Sequence, residues 1–222
     1  MGEAHTIRTR VEVYEDVFRD NDAVAGRIFA TLAGRGASLV NVLGTPGAGK
    51  TSFLEALIRL LAPLSCAVIE GDLESDIDTD RLRASGIPAV QIHTHGMCHL
   101  DAPLVEKALP ELPSGARLVF VENVGNLICP SSFYLGEKKR ILVVSTTEGS
   151  DKPYKYPAIF AKSAAIVLTK GDLAQAVGFD EGFFRAGLAS VAPKAPIFPL
   201  NGRTGEGADA LLSWLWEIRS PS

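Results

Sequence analysis

The feature that most constrains the fold is a glycine-rich segment, Gly44-Thr45-Pro46-Gly47-Ala48-Gly49-Lys50-Thr51, which matches the pattern G-x-x-x-x-G-K-[ST]. An apolar run, Ser38–Leu43, precedes it, and an amphipathic stretch follows it, which is the strand-to-helix context that the pattern requires. In such a loop backbone N–H groups wrap a phosphate, an exposed lysine supplies positive charge, and the next hydroxyl ligates Mg²⁺. The segment therefore predicts a phosphate-binding P-loop.

Short apolar runs alternate with stretches of helix length along the rest of the chain. Runs rich in Val, Ile and Leu predict buried strands, and apolar residues at helical spacing predict helices. This alternation is typical of an α/β fold with a doubly wound, mostly parallel sheet, whose ligands bind at the carboxyl ends of the strands. The predicted strands are Ser38–Leu43 and residues 66–69, 89–92, 118–121, 141–145, 165–168 and 197–200, and the predicted helices are residues 51–61, 100–109, 155–162, 181–189 and 207–218.

A further helix is predicted before the first strand. Apolar residues recur at helical spacing between Val13 and Leu32, and Gly34 and Gly36 follow as signals of a helix end. We expect residues 1–36 to form a helix packed on the domain and residues 37–222 to form the P-loop domain, so that the chain is one domain overall.

Composition and charge narrow the classes of function. The 222 residues are 46% hydrophobic with a net charge of −4, which is the composition of a globular protein without a basic surface for nucleic acid. No apolar run reaches the roughly 20 residues of a membrane span, and the polar start of the chain lacks a secretory signal. Three cysteines, an odd number, argue against a disulfide framework. We expect a cytoplasmic protein with no nucleic-acid partner and no membrane partner.

Acidic residues follow two of the predicted strands. Glu70-Gly71-Asp72 ends one, and Glu122 with Gly125 ends another and resembles the D/E-x-x-G segment of GTPases. We expect Thr51, Asp72 and Glu122 to hold Mg²⁺. The predicted catalytic residues are Lys50, Asp72 and Glu122, with Asp72 orienting the attacking water.

Asp72, Asp76, Asp78 and Asp80 form an acidic cluster after the second predicted strand. One interpretation is a switch loop that orders around Mg²⁺ and the γ-phosphate. The alternative is that at least two of the four are solvated carboxylates at a helix start. Asp72 and Asp78 are the two that we expect to belong to the nucleotide site.

The base is indicated by Thr169-Lys170-Gly171-Asp172, which follows a predicted strand and resembles the N/T-K-x-D guanine motif. A carboxylate at Asp172 accepts hydrogen bonds from guanine N1–H and the 2-amino group, which adenine lacks, so GTP is favoured over ATP. Thr169 stands where asparagine is commonest, and we expect a looser loop there. Asn201-Gly202 begins a second, weaker base-contacting loop. The predicted nucleotide-binding residues are Gly47, Ala48, Gly49, Lys50, Thr51, Ser52, Asp72, Asp78, Glu122, Gly125, Thr169, Lys170, Asp172, Asn201 and Gly202.

Thiol and imidazole groups cluster after the third predicted strand. Cys98-His99 and the more distant Cys129 offer three ligands that suit Ni²⁺ or Zn²⁺. Three ligands leave a tetrahedral site open, either for exchange with a partner or for completion by a second subunit. A Cys/His nucleophile is the other interpretation, disfavoured because adjacent residues rarely point at each other. Cys66 is predicted to be a core residue, His5 is assigned to the tail, and His93 and His95 are either extra ligands or solvated.

With these residues assembled, the chain resembles the hydrogenase nickel-incorporation GTPases, the HypB family, from about residue 38 to residue 212. The resemblance implies a P-loop GTPase fold of the SIMIBI type and a GTP-dependent homodimer whose Cys98, His99 and Cys129 bind nickel or zinc at the subunit interface. It also implies GTP-driven nickel insertion into the precursor of the [NiFe]-hydrogenase large subunit, alongside a small zinc-containing nickel metallochaperone. The segments that carry it are Gly44–Thr51, Glu70-Gly71-Asp72, Asp80-Arg81, residues 98–102, residues 122–127 with Cys129-Pro130, residues 135–138, Thr147-Glu148-Gly149 with Asp151-Lys152-Pro153, Lys155-Tyr156-Pro157 and residues 170–173.

The sequence departs from that family near its start, at His93 and His95, which exceed the family's pattern, and at Thr169, where asparagine is usual. No cysteine precedes Cys66 and only His5 lies near the start, so an N-terminal metal store is not expected. The alternatives are a urease accessory GTPase, whose C-P-H motif is absent, a small-molecule kinase, against which the Lys170-Gly171-Asp172 loop argues, and a nucleotide-stabilised scaffold without hydrolysis.

Overall fold

The computed structural model describes residues 10–61 and 66–219, so His5, assigned above to the tail, lies outside the described residues. Within those ranges seven parallel strands form one sheet in the order β3-β2-β4-β1-β5-β6-β7. The strands are β1 (Ser38–Leu43), β2 (Cys66–Asp72), β3 (Ala89–His93), β4 (Leu118–Glu122), β5 (Lys139–Ser145), β6 (Ala165–Thr169) and β7 (Ile197–Leu200). The predicted doubly wound parallel sheet is confirmed, and each of the seven predicted strands is present, four of them extended at their carboxyl end by one or more residues.

Eight α-helices connect or flank these strands in the described residues. They are α1 (Arg10–Gly34), α2 (Lys50–Leu61), α3 (Ile77–Ala84), α4 (Ala102–Ala108), α5 (Lys152–Lys155), α6 (Pro157–Ala161), α7 (Glu181–Val191) and α8 (Ala208–Arg219). Short 3₁₀ turns at Leu109–Glu111, Cys129–Ser131, Thr146–Glu148 and Gly171–Leu173 complete the connections.

Both faces of the sheet are buried, which explains why its strands are continuous apolar runs. Alternate residues of one strand point to opposite faces, so Val40 and Val42 contact the layer that contains α2 and α8, while Leu39 contacts the layer of α1 and α4. A third apolar cluster joins β5 and β6 to α6 and α7. Cys66 packs against the first of these layers, as predicted.

Two details of the predicted elements are wrong. The acidic segment contains a helix, α3, that is absent from the predicted helices, because only its Thr79 and Leu82 are buried and no apolar stripe indicates it. The helix predicted over residues 155–162 is split at Tyr156, whose φ of −127° and ψ of 50° leave the helical region. Pro157 causes the break, because proline disfavours helical geometry in the residue before it.

The order of the strands puts β1 at the centre of the sheet, where the chain changes direction. Strands β2, β3 and β4 lie on one side of β1, and β5, β6 and β7 lie on the other. The crevice at such a switch point, outside the carboxyl ends of the strands, is where open α/β sheets bind their ligands. The P-loop leaves β1 at this crevice.

Candidate functional site

The P-loop joins β1 to the first residue of α2, Lys50. Its glycines are required by its geometry: Gly47 and Gly49 have φ of 74° and 94°, and a Cβ on Gly44 would lie 2.5 Å from the carbonyl oxygen of Val143. The expectation of an exposed lysine is wrong, because Lys50 is only 8% exposed. Its Nζ lies 3.4 Å from the carbonyl oxygen of Thr45 and 3.9 Å from Oε1 of Glu122.

A cavity of about 510 Å³ opens beside the P-loop at the carboxyl edge of the sheet. Ala48 is buried beneath it rather than lining it. Most of the predicted phosphate-binding residues share the wall of this cavity, together with Glu70 and Arg81: they are Gly47, Gly49, Lys50, Thr51, Ser52, Asp72, Asp78, Glu122, Gly125 and Lys170.

Three carboxylates converge at the floor of this cavity. One oxygen each of Glu70, Asp78 and Glu122 lies within 4.8 Å of the others. The Thr51 hydroxyl donates a hydrogen bond to Oε1 of Glu122 at 3.1 Å. Oε2 of Glu70 and Oε2 of Glu122 are buried without a hydrogen-bond partner, which is the arrangement that a bound divalent cation satisfies.

Burial perturbs two of these carboxylates. Desolvation and then the charge of Glu122 raise the pKa of Glu70 to about 8. Desolvation also raises the pKa of Glu122 to about 7, against the opposing charge of Lys50. Burial of Glu70 and Glu122 side by side therefore favours their protonated forms until a cation neutralises the charge.

Glu70 is the member of this group that the sequence interpretation did not select. It pairs in register with Glu122 across β2 and β4, which places the two carboxylates side by side. Asp72, which was selected, lines the cavity but is absent from the converging group: its Oδ1 accepts hydrogen bonds from the N–H groups of Glu74 at 3.1 Å and Ser75 at 2.8 Å. The signal for Glu70 was its place at the end of a core strand, but the strand order was needed to pair it with Glu122.

The acidic cluster divides as the solvated interpretation expected. Asp76 and Asp80 are exposed at the start of α3, where Asp76 lies 3.1 Å from Nε2 of His93 and Asp80 pairs with Arg83. Asp72 and Asp78 line the phosphate cavity, and of the four only Asp78 belongs to the converging carboxylates. Negative charge in a first helical turn is favoured by the helix dipole, which accounts for the acidic start of α3.

A second cavity, of about 760 Å³, is lined mainly by residues at and after the carboxyl ends of β6 and β7. Asp172, Gly171 and Asn201 line it, with apolar walls from Leu168 and Phe198. Gly202 lies outside it and packs on Ser52, from which a Cβ at position 202 would be 2.9 Å. The cavity therefore combines apolar walls with the Asp172 carboxylate that the guanine interpretation requires, and Glu181 and Glu206 also line it.

Thr169 and Lys170 join this cavity to the P-loop. The buried Thr169 hydroxyl donates to the carbonyl oxygen of Ala48 at 2.6 Å, and Lys170 Nζ donates to the carbonyl oxygen of Gly47 at 2.7 Å. The looser loop expected from threonine at position 169 is therefore wrong, because this hydroxyl itself ties the loop to the P-loop.

Cys98, His99 and Cys129 form a second cluster, on the loops that follow β3 and β4. Their ligand atoms all lie within 4.8 Å of one another, and Cys98 Sγ is 3.8 Å from His99 Nδ1. The adjacent side chains of Cys98 and His99 therefore do point at each other, contrary to the expectation from their sequence positions. His93 and His95 are absent from the cluster among the described residues; their rings lie 6.2 Å apart, beside α3.

The protonation of this cluster follows its surroundings. Burial lowers the pKa of His99, against the nearby charge of Asp101, and so favours the neutral imidazole that binds metals. The hydrogen bond with Cys98, and then burial, raise the pKa of the Cys129 thiol. The His99 ring stacks on Phe133, with ring centroids 4.0 Å apart.

A parallel sheet with a P-loop at its switch point, a carboxylate group beside it and a base cavity define a P-loop nucleotide-binding protein. Residues 38–199 match the family described as CobW/HypB/UreG, nucleotide-binding domain. The hydrogenase maturation factor HypB of Escherichia coli K12 is 44% identical over 210 residues, which cover 94% of this chain and 72% of that protein. The chain therefore belongs to the HypB proteins of the CobW/HypB/UreG family, which confirms the resemblance seen in the sequence.

Solved structures agree with this assignment. The crystal structure of HypB from Helicobacter pylori in complex with nickel matches with a TM-score of 0.86 at 33% identity, over 90% of this chain and 95% of that one. HypB from Archaeoglobus fulgidus matches with a TM-score of 0.84 at 37% identity, over 91% and 100% of the two chains. In the part of the chain that the structure describes, no helix is long and apolar enough to cross a membrane.

Proposed function

We propose that this protein is a metal-binding cytoplasmic GTPase that hydrolyses GTP to GDP and phosphate to drive nickel insertion into the [NiFe]-hydrogenase large subunit. The observation that carries the proposal is the placement of a phosphate cavity and a Cys/His cluster at one edge of the same sheet, on segments that share β4. The relatives support it, since one is named for hydrogenase maturation and another was crystallised with nickel.

The nucleotide occupies the two cavities in this proposal. P-loop N–H groups and Lys50 hold the β- and γ-phosphates, Ser52 and Gly202 flank the loop, and Asp172 accepts from the guanine edge. Thr51 and Glu122 hold Mg²⁺, and the positions of Glu70 and Asp78 add two further carboxylates to that set. When bound by these residues, Mg²⁺ would supply positive charge against the transferred phosphoryl group.

Hydrolysis then depends on positioning a water against the γ-phosphate. We retain Asp72 for that role, because it lines the phosphate cavity and two backbone N–H groups fix its carboxylate. No glutamine is among the described residues that line the cavity, so turnover without a partner is expected to be slow.

Nickel is the cargo of the second cluster. Cys98, His99 and Cys129 supply three ligands and leave a tetrahedral site with one open position, which also accepts Zn²⁺. In a homodimer, a second copy of this chain completes the site. A small zinc-containing metallochaperone and the large-subunit precursor exchange nickel with this protein.

Phosphate release and nickel binding test this proposal together. The wild type should release phosphate from GTP faster than from ATP and should bind nickel. Lys50→Ala should lose GTP hydrolysis and keep nickel binding. Cys98→Ala should keep GTP hydrolysis and lose nickel binding. Cys66→Ala is the matched control for Cys98→Ala, because its thiol packs in the core. Equal use of ATP and GTP, or wild-type nickel binding in Cys98→Ala, would contradict the proposal, and nucleotide binding without any hydrolysis would indicate a scaffold instead.

A further inference from the structure

The first helix reaches both segments that carry the Cys/His cluster. One segment runs from Cys98 to Ala102 and the other from Cys129 to Tyr134, and the two are separated by α4 and β4 in sequence. Asn21 of α1 bonds to both: its Nδ2 donates to the carbonyl oxygen of Tyr134 at 2.8 Å, and its Oδ1 accepts from the N–H of Ala102 at 2.9 Å. One side-chain amide therefore bridges the two segments.

This amide is buried, since Asn21 is 4% exposed. A buried amide that uses both its donor and its acceptor on backbone groups is costly to replace, because each backbone group left without a partner loses a hydrogen bond that water does not restore. Its role is geometric, since both partners are main-chain atoms and their spacing is set by the length of one side chain.

An aromatic contact provides a second route from α1 to the cluster. Phe18 lies one turn before Asn21, and its ring centroid is 5.2 Å from that of Phe133. Phe133 in turn stacks on His99, with 22° between the ring planes. The helix thus supports the imidazole through one intervening ring.

The packing around these contacts is close. A Cβ on Gly136 would lie 2.5 Å from the carbonyl oxygen of Ala25 and 3.0 Å from the N atom of Phe29, so the second segment continues against the backbone of α1. Ile28 and Leu32 pack into the apolar layer that also contains Val105 of α4. The helix therefore packs both on the chain that continues from the second segment and on α4, which follows the first.

From these contacts we infer that α1 positions the nickel site: Asn21 sets the separation between the Cys98-His99 and Cys129 segments, and Phe18 holds the His99 ring through Phe133. This inference rests on the proposed function, in which those three residues bind nickel. Asn21 and Phe18 are positioning residues that touch no ligand atom of the metal directly. Supporting groups around metal ligands commonly change metal affinity by about 10- to 100-fold.

The test measures the affinity of the full chain for the nickel ion alone, by competition with a chromophoric chelator, together with the thiolate-to-nickel charge-transfer spectrum. Asn21→Ala and Phe18→Ala should each weaken nickel binding by about tenfold and change the spectrum, and leave GTP affinity unchanged. The matched controls lie on the same helix: Arg27→Ala removes an exposed ion pair with Glu106, and Phe29→Ala removes an exposed ring. Both should bind nickel as the wild type does.

Two outcomes overturn the inference, and they are distinct from failure of the proposed function. Wild-type nickel affinity and spectrum in Asn21→Ala and Phe18→Ala, with nickel lost in Cys98→Ala, would show that α1 has only a structural role. Wild-type nickel binding in Cys98→Ala would instead remove the proposed site. If Asn21→Ala does not fold, Phe18→Ala decides the question, since Phe18 is only partly buried.

Discussion

The side-chain oxygen of Asn123 accepts a hydrogen bond from the backbone N–H of Leu100 at 2.9 Å. Asn123 follows Glu122, the carboxylate beside Lys50, and Leu100 follows Cys98-His99. Leu100 also packs so closely on Gly71 that a Cβ there would lie 2.6 Å from its side chain. The loop that carries two of the proposed nickel ligands is therefore attached to the ends of β2 and β4, where the carboxylate group lies.

We expect Asp172 to set the preference for guanine, so Asp172→Asn should shift the preference from guanine toward xanthine. The asparagine amide offers a donor where guanine also offers one, whereas xanthine has a 2-oxo acceptor. A mismatch of this kind costs roughly 1–3 kcal/mol, or about 5- to 150-fold in affinity. Competition binding should show weaker GTP and stronger xanthosine triphosphate binding. Unchanged GTP affinity in this variant would place the base elsewhere.

Stability of the metal-free protein should fall as pH rises from about 5 to 8. The pKa of Glu70 is raised to about 8 from an ordinary value of 4.5, so the folded state binds a proton that the unfolded state has already released in this window. The folded state is therefore favoured at low pH and loses that advantage through pH 8. Glu122, with a pKa raised to about 7, contributes in the same direction.

Thermal unfolding of the wild type and of Glu70→Gln across this pH range isolates the effect. The glutamine does not titrate, so Tm should fall less steeply in the variant. Added Mg²⁺ should restore stability at pH 8, where it binds the ionised carboxylates. Parallel Tm curves for the two proteins would contradict the assignment.

The three cysteines should differ in reactivity. Burial raises the pKa of Cys66 to about 11, so only about one thiol in a thousand is ionised at pH 8, and the thiolate is the reactive form. Iodoacetamide with peptide mapping should modify Cys98 long before Cys66, and added nickel should protect Cys98 and Cys129 but not Cys66. Rapid labelling of Cys66 would show that it is not a core residue.

The sequence predicted the elements whose signals are local. Strands buried on both faces are continuous apolar runs, and the P-loop pattern carries its own strand and helix, so β1 and α2 could be placed directly. The features it missed depend on tertiary contacts. Helix α3 has no apolar stripe, and the role of Glu70 appears only when β2 lies beside β4.

The same distinction applies to individual site residues. Cys98, His99 and Cys129 were chosen by chemical type, and the topology brings them together because β3 and β4 end at the same edge. The burial of Lys50 and the bond from Thr169 to Ala48 could not be predicted, because each depends on a partner distant in sequence. Nothing in the pattern around Asn21 or Phe18 distinguishes them from other residues of an amphipathic helix.

The most direct test of the account is the linkage between metal and nucleotide. Nickel affinity is measured with and without a non-hydrolysable GTP analogue, and analogue affinity is measured with and without nickel. Thermodynamics requires that each ligand change the affinity of the other by the same factor. We predict a factor different from one in the wild type, and a factor closer to one in Asn123→Ala, which removes the acceptor of the Leu100 N–H bond. Affinities that are the same in the presence and absence of the other ligand would contradict the central claim that the nickel site and the nucleotide site act together.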